Sequence, residues 1–126
     1  ENIPWKPEYD QIEIAKDLSY LVTADGVWKD NHGAAWHGKE MQIQIDCPAG
    51  ILGTFLVHFT DYNNNNRSGI LKFEGRKSKL EAHPGDGFWV EFHVMREDSN
   101  DGKLILKTIA ETGPNLMITK IILIKE

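Results

Sequence analysis

The sequence has little of what disulfide-stapled domains, membrane spans and nucleophile enzymes are made from. Cysteine occurs once, at Cys47, so the chain closes no internal disulfide. A domain of 126 residues buries roughly two-thirds of the surface that its unfolded chain exposes. It therefore needs no such staple, and the lone thiol leaves the compartment open. No run approaches the ~18 consecutive apolar residues of a membrane-spanning helix, so a membrane is not an expected partner. No Gly-x-Ser-x-Gly elbow is present. Positive charge is short: 14 Lys and Arg stand against 19 Asp and Glu, for a net charge of −5. No basic stripe runs along the chain to release counterions from phosphates, which argues against nucleic acid. Helical periodicity is almost missing as well.

What is present is period-two alternation. Met41, Ile43, Ile45 and Cys47 fall on one side, and Gln42, Gln44 and Asp46 on the other, as in a half-buried antiparallel strand. Phe55, Val57 and Phe59 alternate with Leu56, His58 and Thr60. Phe88, Val90, Phe92 and Val94 alternate with Trp89, Glu91, His93 and Met95. Ile12 and Ile14 begin the series, and Leu71 and Phe73 fill a fourth position. The segments 104–106 and 121–124 are denser, as in strands covered on both faces or carrying a bulge. Turn-forming residues fall between them: Pro48-Ala49-Gly50, Pro84-Gly85-Asp86-Gly87, Asn100-Asp101-Gly102 and Gly113-Pro114-Asn115. About seven or eight short strands punctuated in this way predict an all-β domain, a two-sheet antiparallel sandwich with jelly-roll topology. Residues 1–10, where Pro4 and Pro7 surround Trp5, read as a linker or N-terminal tail, and residues 11–126 as the domain. Without an initiator Met the chain reads as a mature domain or a fragment of something longer.

One connection breaks the rhythm. Residues 19–40 read as a single long loop, and loops beyond about 12–15 residues are often functional. If consecutive strands run antiparallel, this loop emerges at one end of the sandwich with residues 61–68 and 96–101. Residues 48–52, 81–87 and 111–115 then form plain turns at the other end. A pyranose ring offers an apolar C–H face to an indole or phenol, and hydroxyls to amide, guanidinium and imidazole groups. Trp28, Trp36, His37, Tyr62, Asn64 and Arg67, gathered at the first end, are therefore the candidate ligand-binding residues. Plainer readings stand beside this one. A loop Trp also caps the open end of a sandwich core. Asparagines take left-handed backbone cheaply in a tight loop, and Arg67 can pair with a neighbouring carboxylate.

Catalytic patterns are harder to find. Cys47 continues an inward face and is expected to be buried and unreactive. His58 and His93 share strand faces with apolar residues and read as structural. His32 and His37 lie five apart with no thiolate or carboxylate at zinc spacing. No pair is singled out among the 19 acids for glycosidase chemistry. No catalytic residue is assigned, and the isolated domain is not expected to be an enzyme. Asp61, Asn63 and Asn65 copy the opening of a calcium loop, yet Asn66 replaces its Gly and Lys72 its Glu. A structural calcium held by backbone carbonyls and one carboxylate is left open; no cofactor is certain. Asn66-Arg67-Ser68 is a glycosylation sequon.

The run from Gly53 to Phe59, with Asp61-Tyr62, Arg67-Ser68-Gly69 and Phe73-Glu74-Gly75-Arg76, resembles part of the galactose-binding-like modules attached to bacterial glycoside hydrolases. So do Gly87-Phe88-Trp89-Val90 and the closing run from Asn115 to Ile124. The resemblance spans residues 11 to 126 and rests on strand order and turn spacing. It implies a non-catalytic carbohydrate-binding module of a larger polysaccharide-degrading enzyme, secreted or periplasmic. Carbohydrate and the neighbouring catalytic domain would be its partners, and a structural calcium is frequent in such modules. The alternative it implies is a bracing or protein-interaction domain with no sugar site of its own. No defined ligand triad of the family matches, so no site residue is carried over from it.

Overall fold

Residues 19–30, 33–61, 64–82 and 87–125 are described by a computed structural model. They form β1 (Tyr20–Thr23), β2 (Gly26–Asp30), β3 (Gly33–Gly38), β4 (Glu40–Asp46) and β5 (Gly53–Phe59). β6 (Ser68–Phe73), β7 (Arg76–Leu80), β8 (Phe88–Val94), β9 (Lys103–Thr112) and β10 (Leu116–Lys125) follow. A single 3₁₀ turn, Arg96–Ser99, sits between β8 and β9. The strands pair antiparallel in two five-stranded sheets, β1-β4-β9-β6-β7 and β2-β3-β10-β5-β8. This is the expected all-β jelly-roll sandwich.

Alternation builds the core. β4 buries Met41, Ile43 and Ile45, and β5 buries Phe55, Val57 and Phe59. Leu71 and Phe73 of β6, Leu104 and Leu106 of β9, and Leu116, Ile118, Ile121 and Leu123 of β10 complete the interior. Each such side chain contributes about 1.5–3 kcal/mol when fully buried. Three rings bridge the sheets: Phe73 lies 5.7 Å from Phe55 and 5.0 Å from Phe92 between centroids. The dense segment 121–124 belongs to β10, a central strand whose register shifts between Ile118 and Lys120, as an irregularity there predicts.

Three expectations need correction. Residues 19–40 are not a loop: they fold into β1, β2 and β3, so their aromatic residues lie on strands. The composition hides this because Gly26, Gly33, Gly38 and two adjacent alanines interrupt the apolar alternation that marks the other strands. The assignment of loops to ends also changes. β7, Arg-Lys-Ser-Lys-Leu, buries only Leu80 and carries no alternation, being a charged edge strand. Counting it reverses the direction of everything that follows. Residues 81–82, 87 and 113–115 therefore share an end with residues 60–61 and 64–67, whereas residues 95–102 lie at the opposite end with residues 47–52. Finally, Cys47 is half-buried rather than buried; partial burial, then Asp101, Asp46 and Glu74, push its thiol pKa up and keep it protonated. The expected strand at Ile12 and Ile14, the tail 1–10, and residues 83–86 of the turn before β8 lie outside the described residues.

Candidate functional site

The loop after β5 is built around one buried ion pair. Asp61 is 1% exposed, and its carboxylate accepts the backbone N–H of Asn65 at 3.0 Å and of Arg67 at 3.3 Å. The Arg67 guanidinium pairs directly with the same carboxylate and donates through Nε to Asn115 Oδ1 at 3.1 Å. Burial pushes the Asp61 pKa up, but these hydrogen bonds and the Arg67 charge outweigh it and hold the carboxyl below its ordinary value. Thr112 then ties the loop to β9, its hydroxyl donating to the Asn66 carbonyl at 2.7 Å. Asn64 and Asn66 take left-handed backbone, with φ of 51° and 62°, which Asn tolerates through its short polar side chain. This is the turn reading of the asparagine tract, and the pairing reading of Arg67.

The five described sequence candidates do not converge on one surface. Trp36 is fully buried between Val27 and Ile118, with its ring edge-on to Tyr20 at 6.3 Å. It is a core residue, and a buried indole has no face to offer a sugar. Arg67 is buried as well and spends its guanidinium on Asp61 and Asn115. Trp28 is half-buried on β2, directly opposite Ala35. His37 is half-buried, its ring against Gly26, and its buried Nδ1 has no partner among the described residues. Asn64 is exposed at the loop tip. Tyr62 lies outside the described residues, as do Asn63 and His32.

Among the described residues no group of three or more His, Cys, Asp or Glu side chains could hold a metal, and the Asp61 carboxylate is paired with Arg67. The opposite end is closed in the same manner. There Arg76 donates twice to Asp98, at 2.7 and 2.8 Å, and Asp98 also accepts the Met95 N–H at 2.8 Å. The paired Arg76 holds the Asp98 carboxyl below its ordinary value.

An open aromatic surface exists elsewhere. On the outward side of β10-β5-β8, Lys120, His58 and Trp89 stand directly opposite one another in a single row. Trp89 is 42% exposed on an edge strand, and its neighbour Phe88, on the other side of the same strand, is 50% exposed at the rim. The His58 ring meets Trp89 edge-on at 4.9 Å, and the Lys120 ammonium lies 5.9 Å from the Trp89 ring centre. His58 is fixed from behind. Its Nδ1 lies 2.5 Å from Thr119 Oγ1, which itself donates to the His58 carbonyl at 3.3 Å. With the Thr119 hydroxyl proton on that carbonyl, Nδ1 is the donor to Oγ1. Gly87 lets the ring sit there, because a Cβ at that position would overlap it, and its φ of 114° suits glycine. Sequence reasoning passed over this row, although the signal was present. In the adjacent pair Phe88-Trp89, period two forces one aromatic outward.

No protein-family model matches the chain, and no curated protein does. Solved structures do. A family 35 carbohydrate-binding module from an environmental isolate superposes with a TM-score of 0.52 at 13% identity, over 81% of this chain and 74% of that one. TmCBM61 in complex with β-1,4-galactotriose gives a TM-score of 0.51 at 15% identity, over 100% of this chain and 99% of that one. The exo-β-1,3-galactanase Pc1,3Gal43A from Phanerochaete chrysosporium, solved with galactose, gives 0.50 at 13% identity, over 95% of this chain but 28% of that one. Identities this low establish a likeness of fold. The chain shares the two-sheet β-sandwich fold of these two carbohydrate-binding modules.

Proposed function

We propose that the chain is a non-catalytic carbohydrate-binding module and that Trp89 is its stacking platform. The observation that carries this is the exposed indole on an edge strand, in one row with a fixed imidazole and an ammonium. An aromatic face takes the C–H side of a sugar ring, while His58 and Lys120 offer directed polar groups to its hydroxyls. Most of the Trp89 environment is set by backbone register, so little ordering is needed when ligand arrives. The β-1,4-galactotriose in complex with TmCBM61, a structure of the same fold, makes a β-galactan the first ligand to try. A module of this kind works beside a catalytic domain in a longer, secreted or periplasmic chain, and the match to part of a galactanase supports that setting.

Titration of the protein with β-1,4-galacto-oligosaccharides by calorimetry tests the reading. Trp89→Ala should weaken binding by about 1–3 kcal/mol, or roughly 5- to 150-fold, with the thermal transition kept. Unchanged affinity in that variant would remove Trp89 from the site. No response of the native protein to any glycan would leave a bracing domain instead.

A further inference from the structure

The outward side of the other sheet carries a different row. Register places Thr23, Gln42, Lys107, Lys72 and Lys77 directly opposite one another across β1, β4, β9, β6 and β7. Three lysines in succession thus face outward from three adjacent strands, about 4.8 Å apart. Lys79 stands in the next row, opposite Ile70. None of these four ammonium groups is paired with a carboxylate among the described residues. Like charges directly opposite in a sheet are destabilising, so the arrangement has a cost in the free protein. Edge protection accounts for Lys77 and Lys79, because β7 is an edge strand. It does not account for Lys72 and Lys107, which sit on the interior strands β6 and β9.

A shallow groove of about 290 Å³ lies on the same row, lined by Thr23, Glu40, Gln42, Lys72, Lys107 and Ile109. Its size is at the lower end for small-ligand sites, which suits one unit of a chain lying across the face. Ile109 is 40% exposed and gives the groove an apolar patch, and Gln42 gives it an amide.

We propose that this face is a second binding surface, which holds an acidic polysaccharide by seating a carboxylate or sulfate between Lys107 and Lys72. The chain continues toward Lys77. The charges on this side are the four lysines, Glu40 one row away opposite Ile109, Glu111 further along β9, Asp46 opposite Lys103, and Glu74, whose carboxylate accepts from the Ile105 N–H at 2.7 Å. Glu40 accepts from sugar hydroxyls and repels a second acid placed beside the first, so the surface favours polymers whose acidic groups are spaced apart. Single-stranded nucleic acid fits less well. Its binding surfaces stack bases on aromatic side chains, and the outward positions of this sheet hold none among the described residues. The surface stands independently of the Trp89 row, which lies on the opposite side of the sandwich.

The test uses the whole chain at low salt, titrated separately with polygalacturonate, dextran sulfate, neutral β-1,4-galactan and single-stranded DNA. Lys72→Gln with Lys107→Gln is compared with Lys39→Gln and Arg96→Gln, which removes the same charge from the loop before β4 and the 3₁₀ turn. The first pair should lower affinity for an acidic polysaccharide by about tenfold or more, and the second by less than about twofold. Added salt should weaken the interaction. Trp89→Ala should leave it unchanged, so failure of the stacking reading and failure of this one are seen separately. Preference for polygalacturonate or for dextran sulfate identifies carboxylate or sulfate as the acid held. Absence of binding to both polymers, equal loss in the two double variants, or DNA binding as tight as the polysaccharide would each overturn the proposal.

Discussion

The two outward faces of the sandwich rest on one core and are made of equal numbers of strands, yet they present opposite chemistry. On β10-β5-β8, the single ammonium of Lys120 lies over an aromatic ring, a favourable placement. On β9-β6-β7, three ammonium groups face one another with no carboxylate between them. The first row is stabilising as it stands, and the second sets like charges directly opposite one another, at a cost in stability. Alternation along a strand decides that a residue faces outward. Which residues it meets there depends on the order of strands in the sheet.

The largest effect should come from the residue beneath both faces. Trp36 of one sheet touches Tyr20 of the other, so Trp36→Ala should cost about 3–5 kcal/mol in urea unfolding. Trp89→Ala should cost under about 1 kcal/mol, since its ring is largely outside the core. Equal losses would abolish the distinction between core and platform. Acid should come next. Asp61 and Asp98 have folded-state pKa values below their ordinary ones, so their pairs contribute stability above about pH 4 that disappears as pH falls through the folded values. The melting temperature should therefore drop on acidification, and Asp61→Asn should show a lower melting temperature at neutral pH with a shallower acid decline. An unaltered pH profile in that variant would mean that the pair does not govern the loop.

The smallest effects are the sharpest comparison of the two faces, because they differ in sign. Lys120→Gln should destabilise by about 0.5–1 kcal/mol through loss of the contact with Trp89. Lys72→Gln should instead stabilise the ligand-free protein, by about 0.2–1 kcal/mol, and less as salt is raised. Destabilisation by both changes would show that the lysine row is already neutralised within the protein.

Much of the fold was legible from period two alone. β4, β5 and β8 lie where alternation puts them, and the inward residues of β4 and β5 are the buried ones, because a one-residue slip would turn a whole apolar set toward water. Strands without that pattern were not legible. β7 is held by pairing to β6 along an edge, and β2 and β3 by ladder hydrogen bonds around glycines and alanines, so tertiary pairing rather than local pattern defines them. The missed β7 then reversed the assignment of every later loop. It placed residues 96–101 with the asparagine tract, when the Arg76–Asp98 pair holds them at the far end.

The candidate site was less legible, for a related reason. A Trp, an Arg and a His look alike in sequence whether they face solvent or a partner, and Trp36 and Arg67 proved to have partners inside the protein. The sequence shows no basic stripe, yet Lys107, Lys72 and Lys77 stand in one row across three strands, which strand pairing alone assembles. By itself, the sequence determined the all-β class, the inward faces and the left-handed turns, all of which follow from forces between residues a few positions apart. Only the tertiary structure set Lys107 beside Lys72 and Lys120 in line with His58 and Trp89, because lateral neighbours in a sheet are fixed by strand order and register, which no local pattern contains.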